Sequence, residues 1–204
     1  MHSDTGFALK KAQVENYLRD ALRKNFPKSG KRVSLRQRRR FIERITQEVG
    51  VRFGKDVLCL IDFDKGEWVT VVSPAHSYPT DKGRIHQSFA HPQVFYTSHC
   101  LERFSQRTGN DTNRIYVLDA FLSDALLSYG MDKKHLIGPA GIFAYEMDDD
   151  KLIVKTFVSY ELLSDEQIRQ FYRPEVTSLF AEGMVSDDPM DSDFILSDEA
   201  PPVA

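Results

Sequence analysis

Residues 97–109, TSHCLERFSQRTG, place His99, Arg103 and Arg107 four positions apart. On a helix of 3.6 residues per turn this spacing drifts by only about 40° per step, so the three side chains share one polar stripe while Leu101 and Phe104 turn toward another face. A histidine beside two guanidinium groups can both move a proton and hold a phosphate. In the first turn His99 would feel the positive end of the helix, which favours the neutral imidazole that acts as a base. The same residues also have a purely structural reading. A histidine at a helix start often caps or packs, and arginines at this spacing pair with carboxylates such as Glu102.

Two further groups of residues could do chemistry. His76, His86, His91, His99 and Cys100 lie within or beside one stretch, and such side chains bind zinc. The His86/His91 spacing does not match ligands one helical turn apart, and no paired cysteines accompany it. Loop packing is therefore the expected role of these histidines, with no metal or cofactor. Arg36, Arg38, Arg39, Arg40 and Arg44 form a basic cluster suited by charge to phosphate backbones, with Phe41 the aromatic within it. Such a run also serves as an ordinary solvated face.

Charge is distributed unevenly along the 204 residues, whose formal net charge is −3. Residues 1–55 carry 15 Lys/Arg against 5 Asp/Glu, residues 56–181 carry 12 against 18, and residues 182–204 carry none against 7. The expected organisation is a basic helical segment over 1–55, an α+β core over 56–182 and an acidic, disordered tail over 183–204. Phe194, Ile195 and Leu196 in that tail could dock on a partner protein. The acidic tail could also compete with nucleic acid for the basic face, because tethering raises its effective concentration. The N-terminus has no apolar leader-like run, and no stretch approaches the roughly 18 apolar residues of a membrane span. With only Cys59 and Cys100, a disulfide framework is not expected, although one bridge between them is open; the expected location is cytoplasmic.

The elements that must position these groups follow from periodicity. Leu9, Val14, Leu18, Ala21 and Leu22 make a helical stripe from about residue 7 to Asn25, broken by Pro27, Ser29 and Gly30. Ser34 caps a second helix in which Leu35, Phe41, Ile42, Ile45 and Val49 face inward and Gly50 supplies the stop. VLCLIDF and EWVTVVS, joined at Asp64-Lys65-Gly66, read as a hairpin. A long loop is expected over 73–92, then a short strand over 94–96 and the His99 helix, ended by Gly109. Leu118, Phe121, Leu122, Ala125, Leu126 and Tyr129 form the core stripe of another helix, stopped by Gly130. GIFAYEM and KLIVKTFVS make a second hairpin, and Ser164 with Gln167 forms a capping box for a last helix through Tyr172. The sum is an α+β domain with an antiparallel sheet of hairpins, containing both the 57–72 and 141–159 pairs, preceded by two N-terminal helices. No G-x-G-x-x-G, P-loop, C-x-x-C or G-x-S-x-G motif is present, and there is no internal repeat.

The run from Ser98 to Arg107 resembles the H-A-L-x-R-x-x-x-R helix of small bacterial toxin-like domains related to the RelE/barnase group of ribonucleases. The resemblance covers about residues 94–160 and departs in having Cys100 where alanine is usual. It implies metal-independent cleavage of RNA, with His99 transferring protons, Arg103 and Arg107 holding the phosphate, and Thr156, in the late strand LIVKTFVS, donating a hydrogen bond. Two functional classes are thus expected. One is a ribonuclease or toxin-like enzyme acting on RNA; the other is a non-enzymatic protein that binds RNA or DNA, or a regulatory partner, through its basic N-terminal helices.

Overall fold

Ser34 sets the start of the second helix through a reciprocal cap: its hydroxyl accepts from the Gln37 amide while the Gln37 side chain accepts from the Ser34 amide. In the computed structural model this helix, α2, spans Leu35–Phe53, and it follows α1, His2–Asn25. The structure describes residues 2–26, 33–64, 67–128 and 134–172. The acidic tail, the 27–30 breaker, Lys65, Gly66, Tyr129 and Gly130 lie outside the described residues. Helix α1 begins earlier than its apolar stripe implied. Gly50 does not stop α2, which runs three residues further to a cap at Gly54, φ 103°. Leu35 lies on the wrong side of the helix to pack and is 80% exposed.

Strands β1, Val57–Asp64, and β2, Glu67–Pro74, form the expected antiparallel hairpin, with Asp64 opposite Glu67. It is a two-stranded sheet of its own and does not join the sheet that holds the 141–159 hairpin. The reason lies on both sides of the hairpin. One face, bearing Val57, Cys59, Ile61 and Val72, packs against Val14 and Leu18 of α1 and Phe41, Ile45 and Val49 of α2. At the β1 edge, the Asn113 side chain accepts from the Cys59 amide at 2.8 Å and donates to the Cys59 carbonyl at 3.0 Å. These are the groups a neighbouring strand would use there.

The larger sheet has the order β3-β4-β5-β8-β7-β6. Its strands are β3, Ser77–Thr80; β4, Gly83–Gln87; β5, Val94–Thr97; β6, His135–Gly138; β7, Gly141–Asp148; and β8, Lys151–Ser159. All neighbours are antiparallel except β5 and β8, which run parallel. The expected 73–92 loop therefore holds a hairpin. Pro79 sits on the sheet's edge strand, where a missing amide costs least. Helices α3, Ser98–Thr108, and α4, Arg114–Ser128, cover one face through Leu101, Phe104, Leu118, Leu122, Phe143 and Phe157. Helix α4 starts four residues before Leu118 and buries Ile115 as well, whereas Leu126 is partly exposed. On the other face Ile137, Ile142 and Val158 meet Leu163 and Phe171, the latter from α5, Asp165–Phe171, whose capping box at Ser164 forms as expected. Gly141, φ +147°, is obligatory at the start of β7: a Cβ there would lie 2.1 Å from the Val158 carbonyl oxygen.

Candidate functional sites

The threonine before α3 decides how that helix meets the sheet. Thr97 Oγ1 caps the Cys100 amide and donates to the Lys155 carbonyl, each at 3.1 Å. Gly109 ends the helix in the left-handed conformation, as its sequence position implied. Cys100, Leu101 and Phe104 are buried, His99 is exposed, and Arg103 and Arg107 are half-buried. The parallel partner β5 pairs with β8 only from Leu152 to Val154. Beyond that point the β8 carbonyls need other donors: Thr97 serves Lys155, and Arg107 Nη1 donates to the Phe157 carbonyl at 2.7 Å. Arg107 thus closes a sheet edge. Arg103 makes a long contact of 3.4 Å with Gln106.

Thr156 does not join this stripe. Phe157, opposite Phe143, faces α3 and α4, so Thr156, opposite Ala144, lies on the other side of the sheet. A bulge at Ala144/Tyr145 puts Lys155 beside Thr156, and Lys155 pairs with Glu146 of β7, whose carboxyl it holds below the usual range by hydrogen bonding. A depression of about 240 Å³ lies along α3, but on the flank carrying Glu102, Ser105 and Gln106, with Lys55, Asp111 and Arg114 completing its wall.

Of the five clustered arginines between Arg36 and Arg44 on α2, the helix turns Arg36, Arg39 and Arg40 outward, opposite the buried Phe41, Ile45 and Val49. Arg39 pairs with Glu43 one turn on at 2.9 Å. Arg44 lies on the flank, 3.7 Å from Glu48 and over the Phe41 ring. Arg38 turns inward: its guanidinium stacks 3.7 Å above the Phe63 ring and its Nε is buried.

The histidines occupy separate packing sites. His76 stacks on Phe7 with centroids 4.4 Å apart, and His91 Nε2 lies 2.9 Å from Ser123 Oγ. Among the described residues no group of three His, Cys, Asp or Glu is arranged to hold a metal ion. Cys59 and Cys100 are both free and sit in different cores, so the bridge left open by the sequence does not form. Burial raises the Cys59 thiol to about 11 and the Cys100 thiol to about 12, which keeps both protonated and poorly nucleophilic. Asp119, 2% exposed, accepts from the Phe89 and Ala90 amides and the Tyr96 hydroxyl, pinning the 88–91 loop to α4.

A fourth cluster unites residues far apart in sequence. Ser98, first in α3, has its hydroxyl 3.1 Å from His86 Nε2 and 3.1 Å from the Arg84 carbonyl. On the far side of the ring, His86 Nδ1 lies 3.6 Å from Asp56 Oδ2, while Arg114 donates to Asp56 Oδ1 through Nε at 2.9 Å and Nη2 at 2.6 Å. His86 is 6% exposed. Burial is the largest influence on its pKa and lowers it; Asp56 opposes this, and the charges of Arg114, Arg84 and Lys10 reinforce it. Nothing in the sequence links positions 56, 86 and 98. The one available signal is the pair of hydroxyl residues, Thr97 and Ser98, at the start of α3: since Thr97 caps the helix, the Ser98 hydroxyl is left for other partners.

No protein-family model, curated protein or solved structure matches the chain. The fold is α+β, with two N-terminal helices, and no helix among the described residues is long and apolar enough to cross a membrane.

Proposed function

We propose that this protein binds the phosphodiester backbone of nucleic acid through the outer face of α2. The observation that carries the reading is the division of α2 into a buried apolar side and a solvent side bearing Arg36, Arg39 and Arg40. Guanidinium groups exposed on one rigid helix face match phosphate oxygens by charge and by paired donors, and their attraction is independent of sequence. The 1–55 segment adds to the field with its excess of 10 positive charges. Arg38 contributes to this surface chiefly by packing on Phe63, which excludes it from the contact set.

The ribonuclease reading loses support, because Arg107 serves the Phe157 carbonyl and Thr156 lies across the sheet from α3. The test is fluorescence anisotropy with a labelled single-stranded RNA and a labelled DNA duplex, comparing the full chain with an Arg36→Gln/Arg39→Gln/Arg40→Gln variant. Binding that weakens at least tenfold on either probe supports the α2 face. Unchanged affinity removes the site from this helix.

A further inference from the structure

The Asp56–His86–Ser98 cluster carries chemistry that the α2 face does not. A serine hydroxyl becomes a nucleophile when an adjacent base accepts its proton and a third group orients that base. Each part is present. Ser98 is half-buried and reachable from solvent, and its Oγ lies 3.1 Å from His86 Nε2. His86 is held on the neighbouring strand β4. Among the described residues its Nδ1 has no hydrogen-bond partner, and it faces Asp56 Oδ2 at 3.6 Å. A proton on Nδ1 is favoured by that carboxylate, which leaves the Nε2 lone pair turned toward Ser98, whose hydroxyl proton is donated to the Arg84 carbonyl at 3.1 Å and turns to Nε2 for the transfer. Arg114 takes only Oδ1 of Asp56, so Oδ2 is left for the ring; a closure of about half an ångström completes the relay, as apo sites often require.

We propose that Ser98 is a catalytic nucleophile, with His86 as general base and Asp56 as the positioning residue, and that the electrophile is the phosphorus of a phosphodiester. The substrate class rests on the nucleic-acid reading above and on local charge. Ser98 opens an 11-residue helix, whose start carries partial positive charge, and Arg84, Arg114 and Lys10 surround His86 closely enough to act on it. Arg114 is committed to Asp56, so the attraction on an anionic substrate comes from Arg84, Lys10 and the helix start.

The steps balance without a redox partner. Ser98 Oγ attacks phosphorus as its proton passes to His86 Nε2. The bond from phosphorus to the leaving alcohol oxygen breaks, and that oxygen takes the proton from His86. A water molecule then attacks the phosphorus of the Ser98 phosphodiester intermediate, which still carries the second alcohol, gives a proton to His86, and the P–Oγ bond breaks as Ser98 recovers it. One water is consumed, yielding an alcohol and a phosphate monoester.

The experiment uses the full chain in EDTA with a fluorophosphonate probe, bis(p-nitrophenyl) phosphate and p-nitrophenyl acetate. The expected result is a covalent fluorophosphonate adduct on the peptide containing Ser98. It should be lost in Ser98→Ala and His86→Gln variants that keep the wild-type melting temperature. Hydrolysis of the diester should fall about 10²–10⁴-fold in the same variants. Asp56→Asn should keep KM and lower kcat, with a shifted pH–rate profile. If His86→Gln fails to fold, the wild-type adduct decides. Absence of that adduct overturns the proposal, and ester hydrolysis without diester hydrolysis overturns the assignment of a phosphorus electrophile. Failure of the nucleic-acid reading looks different: the α2 triple variant would bind oligonucleotides like the wild type while Ser98 still labels.

Discussion

Helices α2 and α3 both carry arginines at helical spacing, yet the backbone beside them puts those arginines to different uses. Helix α2 lies on the Val57–Asp64/Glu67–Pro74 hairpin through Phe41, Ile45 and Val49, so Arg36, Arg39 and Arg40 on its opposite side face away from the strands and remain at the surface. Helix α3 lies where β5 ends and β8 continues, and Arg107 is drawn to the Phe157 carbonyl left there. An arginine stripe on a helix thus stays at the surface where it faces away from the sheet and is drawn in where it borders an unpaired strand carbonyl. Arg38 is drawn in by a ring rather than by a carbonyl, its guanidinium lying over Phe63.

The largest effect should come from the core that anchors α3. Phe157 is fully buried and its ring neighbours Phe104, Phe121 and Phe143. Phe157→Ala should cost about 3–5 kcal/mol in urea denaturation. A loss under about 1 kcal/mol would mean that α3 is not held by this contact.

The contrast between the two arginine sets is sharpened by stability measurements on single variants. Arg107→Met should cost about 1–2 kcal/mol, because a half-buried carbonyl loses its charged donor, whereas Arg36→Met or Arg40→Met should change stability by about 0.5 kcal/mol or less. Equal costs at Arg107 and Arg36 would erase the distinction.

A smaller, pH-dependent effect should come from His86. Its folded pKa lies below the unfolded value because burial disfavours the imidazolium. Between the two pKa values the unfolded chain binds more protons, so stability is retained above the unfolded value of about 6.5 and falls as pH drops toward the folded pKa. A thermal-denaturation series from pH 8 to 5 should show this decline, and His86→Gln should flatten part of it. A slope that is the same in both proteins would show that His86 does not contribute.

Much of the fold was legible because local signals agreed. The Ser34 and Ser164 capping boxes, the Gly109 stop and the hairpin of GIFAYEM and KLIVKTFVS all appear where expected. Less legible were features set by distant partners. The stretch expected as a loop over 73–92 holds β3 and β4, and Gly50 does not stop α2. The hairpin at 57–74 stands apart because Asn113, 54 residues beyond Cys59, seals its edge. The stripe of His99, Arg103 and Arg107 follows from helix geometry alone, but the placement of Thr156 depends on one bulge in β8, which carries no local sequence signature. The Asp56–His86–Ser98 contact is wholly tertiary: three elements bring it together, and none of them bears a motif.

The central claim, that α2 presents a phosphate-binding face, is tested most directly by the salt dependence of oligonucleotide affinity. The wild-type protein should show log K falling linearly with log salt. An Arg36→Gln/Arg40→Gln variant should lose about 0.7–0.9 of that slope for each arginine removed, with its melting temperature unchanged. A variant whose slope and affinity match those of the wild type would contradict the account.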